Sequence, residues 1–276
     1  MQYPKPQIEH VYAARQRIQT LVRKTTLEES PWLTSFLDTN IYLKLENRQV
    51  TGSFKIRGAT NKLLSLSEDE KTRGVITVSS GNHGRAVSYV AGQLGINAVI
   101  CLSEAVPPNK VQAIQQLGAE TVVAGQTYDE SAENAALLQE QRGLTMVHPF
   151  DDPYVIAGQG TIGMEIVRQQ PGPVDYIYIP VGGGGLIAGV AAYIKYVCPN
   201  TKIIGVEPED TPTLHNALKA GRRVTLKEVG LFADGVAVRT IGKETFRLAK
   251  KLVDEVVLVS TDEICAAIKD VFEDTR

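Results

Sequence analysis

The 276-residue sequence predicts an α/β fold in which parallel strands alternate with helices. From Gly74 onward, short runs rich in Val and Ile are separated by longer segments whose apolar residues recur at helical spacing. Neighbouring parallel strands must be joined by long crossovers, and helices of this length supply them. The alternation pauses after Gln141 and then resumes, so we expect two open, twisted parallel sheets with flanking helices.

The predicted elements follow one another without low-complexity tracts or obvious linkers. A helix at 8–22 and a short strand at 41–45 precede the alternating part. The strands of the first block are 75–78, 98–102 and 121–123, and its helices are 85–94, 109–117 and 129–141. The second block comprises helix 156–168, strand 176–180, helix 186–197, strand 202–207, strand 256–259 and a helix from Asp262.

The last predicted helix carries an apolar stripe that we expect to face inward, formed by Ile264, Ile268, Val271 and Phe272. It reaches Arg276 with neither a capping glycine nor a following element. We therefore expect a C-terminal part to be missing from this chain.

Composition points to a globular protein with a small ligand. Apolar residues make up 43% of the chain, and 29 Lys and Arg nearly balance 31 Asp and Glu. No stretch is strongly of one sign, which argues against nucleic acid or an anionic membrane as the partner.

The cysteines and the N-terminus indicate the cellular compartment. Cys101, Cys198 and Cys265 are scattered within apolar runs, which is typical of buried free thiols in a reducing cytosol, with a catalytic thiol as the alternative. The N-terminus lacks the basic-then-apolar order of a signal peptide, and no apolar stretch is long enough to span a bilayer. We expect a cytoplasmic protein.

Lys55 is the first candidate catalytic residue, because it lies in a segment of turn-forming and small residues, 46–59. A desolvated lysine loses its proton readily, and the neutral amine forms a Schiff base with an aldehyde cofactor. The alternative is a solvated surface charge, which is the usual state of a lysine. Two further loops favour the catalytic interpretation.

The first of these loops contains four consecutive glycines, Gly182 to Gly185, between a predicted strand ending at Val181 and a helix beginning at Leu186. Free backbone amides and the positive end of the helix dipole meet at such a junction. Glycines also let the backbone approach a phosphate closely. The pattern predicts a phosphate site, with a tight turn that binds no ligand as the alternative.

The same loop also matches the G-x-G-x-x-A dinucleotide fingerprint through Gly183, Gly185 and Ala188. Glu207 ends the next strand, where a ribose-binding acid would lie. A nicotinamide-dependent oxidoreductase is therefore a specific alternative. No second group of residues suits a hydride donor, whereas a phosphate site and a reactive lysine together describe pyridoxal phosphate.

The second loop is segment 79–84, with the sequence Ser-Ser-Gly-Asn-His-Gly. It follows a predicted strand and precedes a helix, so it projects from the edge where open α/β sheets bind ligands. Its hydroxyls, amide and free N–H groups can hold a substrate carboxylate and a cofactor ring oxygen. An N-cap is the alternative, and it explains only one or two of these residues. A loop histidine often only donates to a carbonyl, so we assign His83 no catalytic role.

With these motifs in view, the chain resembles the threonine ammonia-lyase (threonine dehydratase) and serine racemase family of fold type II pyridoxal phosphate enzymes. The resemblance runs from about Ile8 to Arg276. The segments that carry it are 53–59 (SFKIRGA), 79–83 (SSGNH), 156–161 (IAGQGT), 181–186 (VGGGGL) and 232–236 (FADGV). The lysine, asparagine and tetraglycine motifs are highly specific when they occur together in this order.

The resemblance implies a role for each site residue. Lys55 would carry pyridoxal phosphate as a Schiff base, and Ser80 would serve as an acid or base on the far face of the cofactor. Asn82 would hydrogen-bond the ring hydroxyl. The implied cofactor-binding residues are Lys55, Phe54, Asn82, Gly182, Gly183, Gly184, Gly185, Leu186 and Gly235. The substrate carboxylate would bind at Ser79, Ser80, Gly81, Asn82 and His83.

The sequence departs from the family pattern in two places. A serine, threonine or cysteine that contacts the pyridine nitrogen in the family, and the glycine-rich segment after it, would lie beyond Arg276. Some relatives bind a divalent cation through a glutamate and an aspartate six residues later. Glu207 occupies the first of these places and Thr213 the second, so Glu207 is the candidate metal ligand, with a solvated strand end or a ribose-type hydrogen bonder as the alternative.

The resemblance also implies the architecture, which is similar to that of the tryptophan synthase β subunit with the cofactor in the cleft between two domains. Residues 1–47 and 150–276 would form the larger, C-terminally incomplete cofactor-binding domain, and 48–149 the smaller α/β domain.

The implied activity is the deamination of L-threonine, and of L-serine, by elimination of water. The products would be 2-oxobutanoate or pyruvate and ammonia, in isoleucine biosynthesis, and the enzyme would be a cytoplasmic homo-oligomer acting on a small amino acid. Serine racemase activity and an inactive cofactor-binding core are the alternatives.

Overall fold

The computed structural model describes residues 8–275, which form two compact units. The first unit combines the described part of Met1–Arg23 with Gln49–Thr161, and the second combines Lys24–Arg48 with the described part of Ile162–Arg276. These bounds differ from the predicted domain bounds in two segments and at Arg48, which belongs to the second unit. Residues 8–23 and 150–161 belong to the unit that contains Lys55.

Helices and strands alternate along most of the described chain. The helices are α1 (Ile8–Ile18), α2 (Pro31–Leu37), α3 (Lys55–Leu64), α4 (Glu68–Arg73), α5 (Asn82–Leu94), α6 (Pro108–Gln115), α7 (Tyr128–Arg142), α8 (Pro153–Gln169), α9 (Gly185–Val197), α10 (Thr213–Ala220), α11 (Lys243–Leu252) and α12 (Thr261–Thr275). The strands are β1 (Leu27–Glu29), β2 (Tyr42–Lys44), β3 (Val75–Val78), β4 (Ala98–Leu102), β5 (Glu120–Val123), β6 (Thr145–Met146), β7 (Tyr176–Pro180), β8 (Lys202–Pro208) and β9 (Glu255–Val259).

The first unit is built on a four-stranded parallel sheet in the order β5-β4-β3-β6. Every residue of β3 and β4 is buried, which explains their unbroken apolar runs. Successive strand residues face opposite sides of the sheet. Val75 therefore packs into a core with Ile56 of α3 and Val87 of α5, whereas Ile76 packs into a second core with Ala135 of α7.

The second unit contains a three-stranded parallel sheet in the order β7-β8-β9 and an antiparallel pair, β1 and β2. β8 is the central strand, and its Ile203 and Ile204 are buried. Ile187 and Ile194 on one face of α9 are also buried. Because both larger sheets are parallel and connected through helices, the predicted fold class is confirmed.

Two glycines allow α3 and the part of α8 that lies in the first unit to cross in close contact. A Cβ atom at Gly58 would lie 2.9 Å from the carbonyl oxygen of Val155, and one at Gly158 would lie 2.7 Å from the Cα of Gly58. No real Cβ tolerates such distances from backbone atoms, so only glycine at both positions permits this crossing. The crossing fixes the helix that begins with Lys55.

Buried polar contacts reinforce the position of α3. Arg57 is fully buried and donates a hydrogen bond to Thr161 Oγ1 at 3.1 Å. Lys62 forms an ion pair with Asp152 at 2.8 Å, and their side chains are 3% and 7% exposed. Asp152 also accepts the N–H groups of the first turn of α8, so one carboxylate joins both helices. Removing one partner of such a buried pair would leave an uncompensated charge, so the junction depends on both residues.

The structure corrects one prediction for α12. Ile268 is 60% exposed and Phe272 is 69% exposed, whereas Ile264 and Val271 are half-buried. The predicted inward stripe is therefore wrong for Ile268 and Phe272. Apolar residues at helical spacing mark one face of a helix, but the spacing does not determine whether another element covers that face.

The three cysteines are free, as predicted, but they are not all buried. Cys101 in β4 is buried, Cys198 is intermediate and Cys265 on α12 is exposed. The prediction of a buried thiol is wrong for Cys265, again because much of α12 is uncovered. Within the described residues, no helix has both the length and the apolar character needed to cross a bilayer.

Replacing Gly158 with Ala tests the helix crossing. The added methyl group would overlap the backbone of α3, with the Arg57 carbonyl oxygen only 2.6 Å away. We expect the free energy of unfolding to fall by about 2 kcal/mol in urea denaturation. Gly172→Ala is the matched control, because its nearest neighbour, Gln170 Nε2, lies 3.6 Å away. Equal stability of the two variants would contradict the proposed constraint.

Candidate active site

Lys55 is the first residue of α3, and its amine lies close to protein atoms of the first unit. Nζ donates a hydrogen bond to the carbonyl oxygen of Pro149 at 3.1 Å and lies 5.4 Å from the centre of the Phe54 ring. Burial of the amine lowers the pKa of Lys55 from 10.5 to about 8, although the residue as a whole keeps some exposure. At a given pH, a larger fraction of this amine is therefore neutral than in an ordinary surface lysine.

The turn before α3 explains why this lysine begins the helix. The N–H of Gly52 donates to the carbonyl oxygen of Gln49, and Gly52 has a φ of 76°, which favours glycine. The Ser53 hydroxyl then accepts the N–H of Lys55 at 3.3 Å. The turn formers noted in the sequence therefore bring the chain into α3 with Lys55 in its first turn.

The asparagine loop lies between β3 and α5. Gly81 is the N-cap residue of α5 and supplies no side chain, so the amides of the first turn have no side-chain cap. Asn82 begins the helix and is exposed, while Ser79 and Ser80 are half-buried. Gly84 is required because a Cβ there would lie 2.1 Å from the carbonyl oxygen of Ser79. The loop presents free N–H groups at a positive helix end, which favours a carboxylate.

His83 is buried, and its side chain has a different partner from the predicted substrate carboxylate. Its Nε2 lies 2.9 Å from the carbonyl oxygen of Val147 and must carry a proton, because a carbonyl only accepts. Burial, and then the nearby charge of Lys55, lowers the pKa of His83 to about 3. The neutral ring has no second N–H group, so only the backbone of His83 remains a donor for a substrate.

Sequence reasoning missed the segment after β6, residues 147–149, which supplies the partners of both His83 and Lys55. His148 lies between the two accepting carbonyls, and its Nδ1 accepts the N–H groups of Phe150 and Asp151. Burial lowers the pKa of His148. Ligand sites of parallel sheets lie at the carboxyl ends of strands, but β6 has only two residues and was not predicted, so this signal was not available from the sequence.

The glycine loop of the second unit connects β7 to α9 as predicted. Gly184 is the N-cap residue of α9 with a φ of 86°, and the helix begins at Gly185. A Cβ at Gly182 would lie 2.9 Å from the Cα of Val236. The loop therefore needs glycine both for its conformation and for its close packing. Its free amides lie at the start of a 13-residue helix, where they suit a phosphate.

Thr245 of α11 holds the glycine loop, and sequence reasoning missed it. Its hydroxyl donates to the carbonyl oxygen of Gly183 at 2.8 Å, and the residue is fully buried. The N–H of Gly242 reaches the same oxygen at 3.4 Å. Because this carbonyl is turned towards α11, the loop has a defined conformation. No local sequence pattern indicated Thr245, since it lies 62 residues from its partner.

The two other predicted residues near the loop differ in exposure and contacts. Leu186, the second residue of α9, is half-buried. Gly235 lies in the turn Asp234–Val236, and a Cβ there would meet no atom within 4 Å. Gly235 therefore borders open space, while the adjacent Val236 packs on Gly182.

Glu207, the candidate metal ligand, is fully buried and holds the start of α10. Its two carboxylate oxygens accept the N–H groups of Leu214 and His215 at 2.7 and 2.8 Å. Burial raises the pKa of Glu207 to about 7, and these N–H groups oppose the shift. Within residues 8–275 no group of three or more His, Cys, Asp or Glu side chains is arranged to hold a metal. The metal role of Glu207 stays a prediction.

The predicted site residues thus form two groups, one in each unit. Lys55, Phe54 and the asparagine loop belong to the first unit, where Lys55 and His83 share the segment 147–149. The glycine loop, Glu207 and Gly235 belong to the second unit.

A comparison with protein families supports a pyridoxal phosphate site. Residues 18–276 match the family described as pyridoxal-phosphate dependent enzyme. This match favours pyridoxal phosphate over the nicotinamide cofactor that the glycine fingerprint had left open. Solved structures agree with this match. One is the processed form of threonine deaminase isoform 2 from Solanum lycopersicum, which has a TM-score of 0.92 and 42% sequence identity. The similarity covers 100% of this chain and 77% of that one. Maize serine racemase has a TM-score of 0.95 and 32% identity over 98% of this chain and 82% of that one.

Curated relatives are similar over almost the whole chain. The biosynthetic L-threonine dehydratase IlvA of Burkholderia multivorans is 52% identical over 94% of this chain and 52% of its own length. The mitochondrial threonine dehydratase of Saccharomyces cerevisiae is 48% identical over 95% of this chain and 46% of its own length. The chain therefore spans about half the length of the curated relatives that it matches.

The residues present fit pyridoxal phosphate on structural grounds. The glycine loop has no room for a Cβ at Gly182 and ends in the uncapped amides of α9, as a phosphate cradle requires. Lys55 offers an amine whose pKa is lowered by burial, as an aldehyde partner requires. The exposed side chain of Asn82 is free to reach a ligand.

The lowered pKa of Lys55 predicts a pH-dependent stability. Below pH 8 the amine is charged in both states, and burying this charge destabilises the folded protein. Between about pH 8 and 10.5 the amine is neutral in the folded protein and still charged in the unfolded one, so the free energy of unfolding rises with pH. Lys55→Met should therefore stabilise the cofactor-free protein by about 2 kcal/mol at pH 7, and the gain should shrink towards pH 10.5. Urea denaturation across this range measures it. Lys227→Met, at an exposed lysine, is the control. If both substitutions changed the free energy of unfolding by the same amount at every pH, the prediction would be refuted.

Thr245→Val tests whether α11 holds the glycine loop. Valine has nearly the same shape but cannot donate to the Gly183 carbonyl. We expect a loss of about 1 kcal/mol in unfolding free energy and a several-fold weaker Kd for pyridoxal phosphate, measured by spectral titration. Thr245→Ser keeps the hydroxyl and should bind as tightly as the unmodified protein. Unchanged affinity in the valine variant would show that the loop does not depend on Thr245.

Proposed function

This chain belongs to the family of pyridoxal-phosphate dependent enzymes, and we propose that it deaminates L-threonine to 2-oxobutanoate and ammonia. The observation that carries the proposal is the pairing of Lys55, whose buried amine loses its proton easily, with an uncapped helix start at Asn82 in the same unit. Relatives at about half identity are named threonine dehydratases, which supports L-threonine as the substrate. L-Serine, which lacks one methyl group, is the expected second substrate.

The cofactor would be held by two features of the chain. Lys55 Nζ would bind its aldehyde carbon, and the amides of Gly182 to Gly185 would bind its phosphate. Asn82 would donate to the ring hydroxyl, while Phe54, Leu186 and Gly235 would line the cofactor. When bound, pyridoxal phosphate supplies an electron sink for the bond that breaks at the substrate α-carbon.

Lys55 would be the base of the reaction. When it is not bound to the cofactor, the amine would accept the α-proton of the substrate. Because the pKa of Lys55 is about 8, more of its amine is neutral near neutral pH than in an ordinary lysine. The Pro149 carbonyl oxygen fixes the direction of Nζ. A protonated group then delivers a proton to the leaving β-hydroxyl, which departs as water. The released enamine tautomerises and hydrolyses to the 2-oxoacid and ammonia.

The asparagine loop would orient the substrate. Its carboxylate would bind the amides and hydroxyls of Ser79, Ser80, Gly81, Asn82 and His83, where the positive end of α5 favours an anion. The side chain of His83 does not take part as a donor, because its N–H group is bound to Val147. Ser80 would also act as an acid or base on the face opposite Lys55.

Serine racemisation is the second candidate function. The observation that favours it is the presence of Ser80 in a chain whose fold matches maize serine racemase at 32% identity. We further propose a homo-oligomer that acts in the cytoplasm in isoleucine biosynthesis; the biosynthetic names of the relatives support the last part. Sedimentation equilibrium tests the oligomeric state.

A visible spectrum of the purified protein with pyridoxal phosphate, taken before and after L-threonine, tests the proposal when the 2-oxoacid is assayed in the same tube. We expect a bound-cofactor band that changes with substrate and a steady release of 2-oxobutanoate. Lys55→Ala should lose both the band and at least a thousandfold in turnover, as expected when a group that acts as a covalent partner and base is removed.

Ser80→Ala is the companion variant. It should retain threonine deamination while losing interconversion of L- and D-serine, which chiral chromatography measures. A cofactor band without 2-oxoacid in the unmodified protein would favour an inactive cofactor-binding core, and a fully active Lys55→Ala protein would overturn the scheme.

A further inference from the structure

The carbonyl group that directs the Lys55 amine belongs to a peptide unit with a second hydrogen bond. Nζ donates to the carbonyl oxygen of Pro149 at 3.1 Å. A carbonyl oxygen and the N–H of the next residue lie in one rigid plane and point in opposite directions when the peptide bond is trans. None of the peptide bonds between described residues is cis. A group that holds the N–H of Phe150 therefore also sets the direction of the Pro149 oxygen.

His148 holds this N–H group. Its Nδ1 accepts the N–H of Phe150 at 3.2 Å and the N–H of Asp151 at 2.9 Å. The two bonds fold the chain around Pro149, which lies between the histidine and its partners. Because an Nδ1 that accepts N–H groups carries no proton, the ring is neutral and its proton is on Nε2. The peptide unit after Pro149 is thus held by His148 at its N–H and contacts Lys55 at its oxygen.

The histidine is itself held on both sides. The preceding residue, Val147, is buried, and its carbonyl oxygen accepts the Thr77 hydroxyl at 2.8 Å and Nε2 of His83 at 2.9 Å. On the other side, the ring of His148 packs edge-on against the ring of Phe150, with 4.6 Å between their centres. A side chain fixed in this way can determine the orientation of the backbone groups that it binds.

Titratable groups surround His148. Burial lowers its pKa, Asp151 and Asp152 of the same segment oppose this shift, and Lys55 of α3 adds to it. His83 of α5 also interacts with His148 electrostatically. Since the pKa of Lys55 is about 8, the histidine is neutral at the pH where the lysine titrates. Removing the histidine therefore changes no charge in that pH range.

We propose that His148 is a positioning residue for Lys55: its Nδ1 holds the peptide unit after Pro149 and thereby aims the carbonyl oxygen that binds the lysine amine. The histidine acts through the backbone and exchanges no proton with the lysine. It sets where Nζ points whenever the amine is not bound to the cofactor. The inference rests on the proposed role of Lys55 as the base, but its test requires no turnover.

Three substitutions at His148 separate the acceptor from the rest of the side chain. His148→Asn keeps an acceptor near the Nδ1 position, because an asparagine oxygen readily binds the backbone N–H two residues later. His148→Gln is also a polar amide, but its additional methylene carries the oxygen beyond that position. His148→Leu has the branched shape of the asparagine variant and no acceptor. The glutamine and leucine variants thus both lack the acceptor, and they differ in polarity.

The measurement is the titration midpoint of Lys55 in the full chain without cofactor. Trace labelling with an amine-reactive reagent across pH, followed by peptide mass spectrometry, gives this midpoint, with exposed Lys227 as the internal reference. The Pro149 oxygen stabilises the charged amine, so turning it away should lower the midpoint by about one pH unit in His148→Gln and His148→Leu. The midpoint of His148→Asn should stay near that of the unmodified chain.

A merely structural role of His148 predicts a different result. It lowers the free energy of unfolding in urea and leaves the Lys55 midpoint of the folded protein unchanged. An unchanged midpoint in His148→Gln or an equal drop in all three variants would overturn the proposal. A drop in His148→Leu alone would also overturn it, because it would reflect a more apolar environment of the amine.

The ¹³C resonance of the Pro149 carbonyl keeps the test decisive if His148→Gln does not fold. Lys55→Met, which has no donor, defines the position of the unbonded carbonyl. The resonance should move towards that position in His148→Leu and stay near that of the unmodified chain in His148→Asn. A resonance that is the same in the leucine and asparagine variants would overturn the proposal. If these shifts occur but the unmodified protein does not deaminate threonine, the proposed function fails and the positioning role of His148 stands.

Discussion

The close crossing of α3 and α8 at Gly58 and Gly158 is the constraint on which the rest of the first unit depends. It brings two helix backbones within a distance that no side chain permits. The polar residues around it are then buried, so each needs a partner: Arg57 meets Thr161, and Lys62 meets Asp152. Lys55 stands at the start of the helix held in this way. Backbone packing therefore fixes where the lysine begins, and the Pro149 carbonyl oxygen orients its amine.

The proposed site relies on backbone dipoles more than on charged side chains. The asparagine loop and the glycine loop both end in a helix start whose amides have no side-chain cap. Such amides are fixed by the helix and need no reorganisation when an anion binds. Burial lowers the pKa values of both Lys55 and His83, so the His83 ring is neutral and the Lys55 amine loses its proton more readily than that of a surface lysine. This arrangement suits proton transfer from a substrate whose carboxylate is held nearby.

Local patterns predicted the longer strands, the two binding loops and the cofactor class, but not β1 and β6, which have only three and two residues. The buried strands β3 and β4 lie where their apolar runs predicted them, because the length of an apolar run and the spacing of its residues can be read from neighbouring positions in the sequence. The glycine loop was likewise marked by residues adjacent in sequence, whereas the segment around Lys55 was predicted as a loop and α3 itself was not predicted. Pro149 and Thr245 were not predicted, since they meet Lys55 and Gly183 across 94 and 62 residues. The exposure of Ile268 and Phe272 was missed for a related reason: spacing defines a helix face, whereas burial depends on the neighbours that the fold supplies.

Borohydride reduction followed by peptide mapping tests the central claim most directly. Reduction converts a Schiff base between pyridoxal phosphate and a lysine into a stable bond, so the modified lysine is identified by mass. The account predicts a single modified peptide that contains Lys55, with the modification lost in Lys55→Ala. Modification of another lysine, such as Lys62 on the same helix, or no modification while the cofactor is bound, would contradict it.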